Sequence, residues 1–253
     1  MKKVRTAKKD RAYNTIGEMP IYLNEMKLST MANTLMEQLN DPNIGLKNAD
    51  ERIVDMVSKE YLLRYANKIA RELKKANLKY PNADFADLIT SDDRTLDKNI
   101  LDELMTCDFI EEKRNLVITG PCGSGKTWIA CMIAVKALTQ LKTVRFYSSS
   151  KLVLKLSGMT SEAYLKALDQ MAKLDLLILD DVGMMDLDLK SCRIFFEVLD
   201  SMEQNGSIIF ISQYPVKNWY TLFEKATFAD ASLSRATGKA RRLEIKGKDF
   251  RKL

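Results

Sequence analysis

Histidine is absent from the 253 residues, and the four cysteines, Cys107, Cys122, Cys131 and Cys192, form no C-x-x-C pair. A zinc site and a histidine-based catalytic dyad are thereby set aside, because both draw on those side chains. The thiols are read as reduced and mostly buried, with Cys122 the exception for a reason given below. No apolar run approaches the roughly 18 residues of a membrane span, and the basic start M-K-K-V-R has no apolar stretch behind it. A cytoplasmic protein without a membrane partner is expected. Internal repeats and low-complexity segments are also missing. What is present, 46% hydrophobic and 29% charged residues, suits a packed globular chain of one or two domains.

The net charge of +6 is unevenly spread. Residues 1–90 hold 16 Lys/Arg against 12 Asp/Glu, residues 91–234 hold 16 against 20, and residues 235–253 hold 8 against 2. A slightly acidic middle between basic ends fits a body with surfaces for a polyanion, and it equally fits ordinary solubilising charge.

The middle contains the most specific stretch. Leu116, Val117 and Ile118 form a short apolar run, G-P-C-G-S-G-K-T follows from Gly120 to Thr127, and an apolar-rich run continues from Trp128 to Leu138. Strand, glycine loop and helix in that order are the setting a phosphate-binding loop requires. Gly120, Gly123 and Gly125, interleaved with Pro121, Cys122 and Ser124, let successive N–H groups line a concave nest, and the helix N-terminus adds its positive end. Lys126 is placed to reach the β- and γ-phosphates and the Thr127 hydroxyl to bind Mg²⁺, so ATP with Mg²⁺ is the expected ligand. Cys122 sits inside that loop, where an oxidant would obstruct the nucleotide.

In chain order, residues 1–24 read as a basic N-terminal arm, most clearly over 1–12. Leu28, Met31, Ala32, Leu35, Met36 and Leu39 follow helical spacing up to Asp41-Pro42, and a longer helix is predicted from Ala49 to Asn77. From Lys59 onward, along it or just past it, lie seven cations, Lys59, Arg64, Lys68, Arg71, Lys74, Lys75 and Lys79, with Tyr61 and Tyr65 among them. They suit either a nucleic-acid backbone or a solvated face. Tyr80-Pro81-Asn82 breaks the helix, which places a domain boundary in the connector over 80–95 and gives a helical N-terminal domain of residues 25–90. Residues 91–253 then form the nucleotide-binding domain: helix from Leu96 to Glu112, the loop strand, a strand Thr143 to Tyr147, helices Ser149 to Ser157 and Ser161 to Lys173, and the apolar strand Leu174 to Leu179. A helix Leu189 to Met202, a strand Ser207 to Ile211 and a short strand Leu243 to Ile245 complete it. Strands alternating with helices predict an α/β fold with a parallel sheet.

Asp180-Asp181, directly after the strand L-D-L-L-I-L, have the form of a Walker B element. Asp180 would hold Mg²⁺ and Asp181 would orient or deprotonate the attacking water, the alternative being two strand-end turn residues. Ser212 and Gln213 end the strand expected beside it, where Gln213 has the better reach toward a γ-phosphate, the alternative being a satisfied strand-end amide. Arg235 in A-S-L-S-R-A-T is either an arginine finger or one more cation of a basic tail.

Together G-P-C-G-S-G-K-T, L-L-I-L-D-D-V-G, I-I-F-I-S-Q-Y-P, L-S-R-A and the closing I-K-G-K-D-F-R resemble the IstB-like ATP-binding helper proteins of insertion sequences, relatives of DnaC and DnaA among the AAA+ ATPases. Upstream, L-S-T-M-A-N-T-L, K-E-Y-L-L-R and L-M-T-C-D-F-I-E-E-K-R-N-L extend the likeness over roughly residues 25–252. The resemblance implies an AAA+ core without the large C-terminal lid, behind a small all-α domain. It further implies ATP-dependent homo-oligomers on double-stranded DNA that activate the transposase of the same element, with a DnaC-like helicase loader as the alternative. It raises Arg235 to the finger position and Gln213 to the sensor position. This chain departs from the pattern at Ser234, where relatives carry Asp, at Thr237-Gly238-Lys239, and at Gly247-Lys248-Asp249, where G-E-S is usual.

Overall fold

The computed structural model describes residues 15–87 and 97–246, so the arm over 1–12, part of the connector and Gly247-Lys248-Asp249 lie outside the described residues. The chain divides into two compact units that part between Lys68 and Ile69. That division falls inside a helix, ahead of the connector where the sequence placed the domain boundary.

The first unit is helical. A 3-10 turn, Ile16–Glu18, leads into α1, Met19–Glu25, with Pro20 in the first turn, where its missing N–H is no loss. The sequence assigned residues 1–24 to a basic arm, and α1 lies across the end of that stretch. Helix α2, Ser29–Asn40, buries Ala32, Thr34, Leu35 and Gln38 and stops before Pro42. Leu28 has no side-chain cap to offer α2. The cap comes from helix α3, Ala49–Ala76: Glu60 accepts the N–H groups of Thr30 at 2.9 Å and Met31 at 3.1 Å. Arg64, one turn on, donates to the other Glu60 oxygen. Several of the seven predicted cations are therefore engaged within the chain, Lys59 with Asp55 at 3.2 Å and Lys75 with Glu72 at 2.8 Å among them.

The second unit is built on a five-stranded sheet in the order β2-β3-β4-β1-β5, every neighbouring pair parallel. Its strands are β1 Leu116–Thr119, β2 Val144–Ser148, β3 Leu176–Val182, β4 Ser207–Ser212 and β5 Arg241–Glu244. Successive side chains point to opposite faces. Leu116, Ile118, Leu176, Ile178, Ile209 and Ile211 face one core, while Val117, Leu177, Leu179, Ile208 and Phe210 face the other. On the first face lie α4 Lys98–Thr106, α5 Asp108–Glu111 and α6 Lys126–Thr139. The sequence predicted one helix over 96–112; the chain turns at Cys107, whose φ of 66° is left-handed and cannot continue a helix. On the second face lie α7 Ser149–Ser157, α9 Leu189–Met202 and α10 Ala226–Thr237, with α8 Ser161–Met171 between α7 and β3 in sequence. A 3-10 stretch, Val216–Leu222, buries Trp219 and had no periodic signal.

The end of α3 belongs to this second unit. Ala76 and Ala83 are buried in the first core, with Leu73 and Leu78 packed against it. That packing explains why the units part at Lys68 instead of after Tyr80. No described helix is long and apolar enough to cross a membrane.

Candidate functional site

Burial of α6 fixes the site. Ile129 to Ala134, Ala137 and Leu138 are all buried, so the helix is held around nearly its whole circumference and its N-terminus is aimed by packing. The loop from Gly120 to Gly125 delivers that N-terminus at the C-terminal end of β1, and Ile245 after β5 backs the loop. The Ile245 N–H donates to Thr119 O at 2.8 Å, and a Cβ at Gly120 would lie 2.4 Å from Ile245 O. Gly125, the residue before α6, has φ 87°, a conformation that favours glycine. Lys126 is 8% exposed, and its ammonium donates to Gly120 O at 2.8 Å and Pro121 O at 2.7 Å, so the loop's own carbonyls hold it over the nest. Pro121 and Cys122 are exposed on the rim and Ser124 is buried beneath.

Across from the loop, β3 runs through the two aspartates instead of stopping at Leu179. The ladder to β4 slips between Leu179 and Val182, and Asp181 sits in this bulge with φ 58°. Such a bulge turns a side chain out of its expected direction, a device common beside active sites. Asp180 is 2% exposed. Its carboxylate accepts the Thr127 hydroxyl at 3.1 and 3.3 Å and the Asp181 N–H at 2.9 Å. Burial holds its carboxyl above the ordinary carboxylate range and the neighbouring Asp181 adds to that rise, while the Asp181 N–H, Thr127 and Lys79 oppose it. A cation at this point would reverse the balance.

Thr127 and Asp180 thus supply two oxygen donors at one point. Among the described residues no group of three His, Cys, Asp or Glu is placed to hold a metal unaided. That donor set fits a hard cation that keeps water and takes its remaining ligands from phosphate, as Mg²⁺ does.

Strand β4 lies between β1 and β3, so Gln213, half-buried at its end, comes to the same sheet edge as the loop and the aspartates. Ser212 does not serve as a free polar group: its hydroxyl donates to Val182 O at 2.6 Å and accepts the Tyr214 N–H at 3.1 Å. Arg235 is elsewhere. Asn115, just ahead of β1, donates to Arg235 O at 2.9 Å, which puts that residue at the opposite end of the sheet, about 15 Å from the loop at ordinary strand rise. Its guanidinium pairs with Asp200 at 2.9 Å and Glu203 at 2.8 Å and lies 4.7 Å over the Phe196 ring. The structure therefore does not bring Arg235 to its own chain's phosphate loop.

Sequence reasoning missed Lys79 as a neighbour of this site. Its ammonium lies 3.9 Å from Asp180 Oδ2, and the next residue, Tyr80, sets its ring 5.2 Å from that of Trp128 on α6. Helical spacing made Lys79 one cation among seven, and only the chain reversal after α3 singles it out.

A family profile described as IstB-like ATP binding protein matches residues 21–253. The ATP-binding protein of insertion sequence IS1162 from Pseudomonas fluorescens is 34% identical over 194 residues, covering 76% of this chain and 84% of that protein. An insertion-sequence ATP-binding protein of Sinorhizobium fredii, y4uH, is 29% identical over 232 residues, covering 91% and 93%. Among solved structures, DnaI superimposes with a TM-score of 0.56 at 21% identity, covering 71% of this chain and 98% of that one. AMPPCP-bound DnaA from Aquifex aeolicus gives 0.52 at 17% identity, covering 65% and 50%. At those identities the structural likeness shows the fold alone, a parallel sheet with helices on both faces. Because the profile spans the helical unit as well as the sheet, it takes in nearly the whole chain, which belongs to the family of IstB-like ATP-binding proteins.

Proposed function

We propose that this protein is an ATP-dependent DNA-binding ATPase that assembles as a homo-oligomer on double-stranded DNA and activates the transposase of its insertion sequence. The observation that carries the nucleotide half is the contact between Thr127 and Asp180, which joins phosphate loop and strand end at the one point where a metal-bound triphosphate needs both. The transposition half draws on the names of the relatives, which are proteins of insertion sequences.

In this reading the loop N–H groups and Lys126 bind the phosphates, and Thr127 with Asp180 holds Mg²⁺. When bound there, the ion would supply positive charge against the phosphates. Asp181, turned out of the strand by the bulge, orients or deprotonates the attacking water, and Gln213 meets the γ-phosphate. Arg235, remote from its own loop, serves the nucleotide of a neighbouring subunit, and it must first leave Asp200 and Glu203. ATP then lies between subunits, and hydrolysis resets the assembly.

The test measures particle size and duplex binding together, with and without Mg²⁺-ATP, at two salt concentrations. Assembly on duplex of arbitrary sequence that requires ATP and weakens steeply with salt is the expected result. A small particle indifferent to both ATP and duplex would overturn the proposal and turn the search toward a helicase partner.

A further inference from the structure

We propose that Lys79 is a positioning residue of the nucleotide site: its ammonium shares the Asp180 carboxylate with the divalent cation, so that the ion enters together with ATP and not before it. The inference rests on the Mg²⁺-ATP reading of that site.

The backbone here is well held. Helix α3 ends at Ala76 and reverses at Asn77, whose φ is 54°. Ala76 and Ala83 are buried, Leu78 packs against the same core, and the Tyr80 ring rests on Trp128, the residue after Thr127. Lys79 lies between these anchors, so only its side chain is free to choose. It goes to Asp180 Oδ2, the oxygen that also accepts the Thr127 hydroxyl at 3.1 Å. The two partners differ in exposure: the lysine side chain is 52% exposed and the aspartate 3%. A pair of that kind has little structural worth, but its charge acts at close range on whatever else binds the buried carboxylate.

A divalent ion at Thr127 and Asp180 would sit within a few ångströms of this ammonium. The two positive charges repel, and with the Lys126 ammonium the site would then hold four positive charges against only the Asp180 and Asp181 carboxylates. Triphosphate changes that sum, because its own oxygens supply the missing negative charge. Lys79 thereby disfavours metal most strongly without nucleotide and less, though still measurably, with it.

The experiment uses the full chain and titrates Mg²⁺ against binding of a fluorescent ATP analogue. Lys79→Met keeps the aliphatic stem and removes the charge; Lys79→Arg keeps the charge. In Lys79→Met the Mg²⁺ concentration for half-maximal binding should fall roughly two- to fivefold, the scale of a half-exposed ion pair. Lys79→Arg should hold the original midpoint, and the gap should narrow as salt is raised. A merely structural tie would lower the unfolding temperature and leave the Mg²⁺ midpoint in place, and a midpoint unchanged or raised in Lys79→Met overturns the proposal. Should the unmodified chain fail to bind the analogue at any Mg²⁺ concentration, the nucleotide-site reading falls first and takes this one with it.

Discussion

A methyl group at position 120 meets a backbone carbonyl, not a side chain that can turn away. Gly120→Ala must push Ile245 and the loop apart, so it should destabilise the fold by more than about 1 kcal/mol and weaken nucleotide binding at once. Thermal unfolding and nucleotide titration on the same sample check both. Lys126→Ala should abolish tight ATP binding with the fold intact, and an unchanged affinity would remove the loop from its assigned role. Asp181→Asn separates binding from turnover. Asparagine tolerates the left-handed backbone at this position, so the bulge survives while the carboxylate is lost. Nucleotide affinity should hold and phosphate release should slow by roughly a hundredfold or more. Hydrolysis at the original rate would leave Asp181 a structural bulge residue.

Helix α2 has no cap of its own and takes one from the middle of α3, thirty residues later. Glu60→Ala should therefore destabilise the helical unit by about 1–2 kcal/mol, read by denaturant unfolding. Arg64 holds the Glu60 carboxyl below its ordinary value of 4.5, helped by the Met31 and Thr30 N–H groups. A depressed folded pKa contributes stability that is complete above the unfolded pKa and drains away as pH falls through the folded one. The unmodified protein should thus lose stability below about pH 4.5 more steeply than Glu60→Ala does. Elements of this kind show what the sequence made legible. The period of α2 and α3 and the apolar runs of β1, β3 and β4 were plain, because each depends on local spacing. So was the glycine loop, whose positions follow from phosphate geometry. The trans cap, the break at Cys107 and the bulge at Asp181 were not, since each depends on a partner distant in the chain or on one residue's backbone angle. Lys79 was hidden for the same reason, and the ion pairs of Arg235 depend on where α10 crosses α9.

For the whole molecule, where the units part decides what truncation does. A chain beginning at Ile69 keeps Leu73, Ala76, Leu78 and Ala83 on the core, whereas one beginning at residue 91 strips them all. The shorter piece should unfold several degrees lower, each lost apolar contact being worth on the order of 1 kcal/mol. Equal melting temperatures for the two pieces would place those residues outside the core in solution. If the cations of α3 track a duplex, both truncations should also flatten the salt dependence of DNA binding. The two tryptophans make such work simpler. Trp219 is 2% exposed, donates to Tyr214 O at 3.1 Å and packs on Phe210, so its emission should be blue and shielded from soluble quenchers. Trp128 is half-buried beside Tyr80, one residue from the Thr127 hydroxyl. The unlabelled protein therefore carries its own optical reporter next to the phosphate loop, with a second, silent indole as its internal reference.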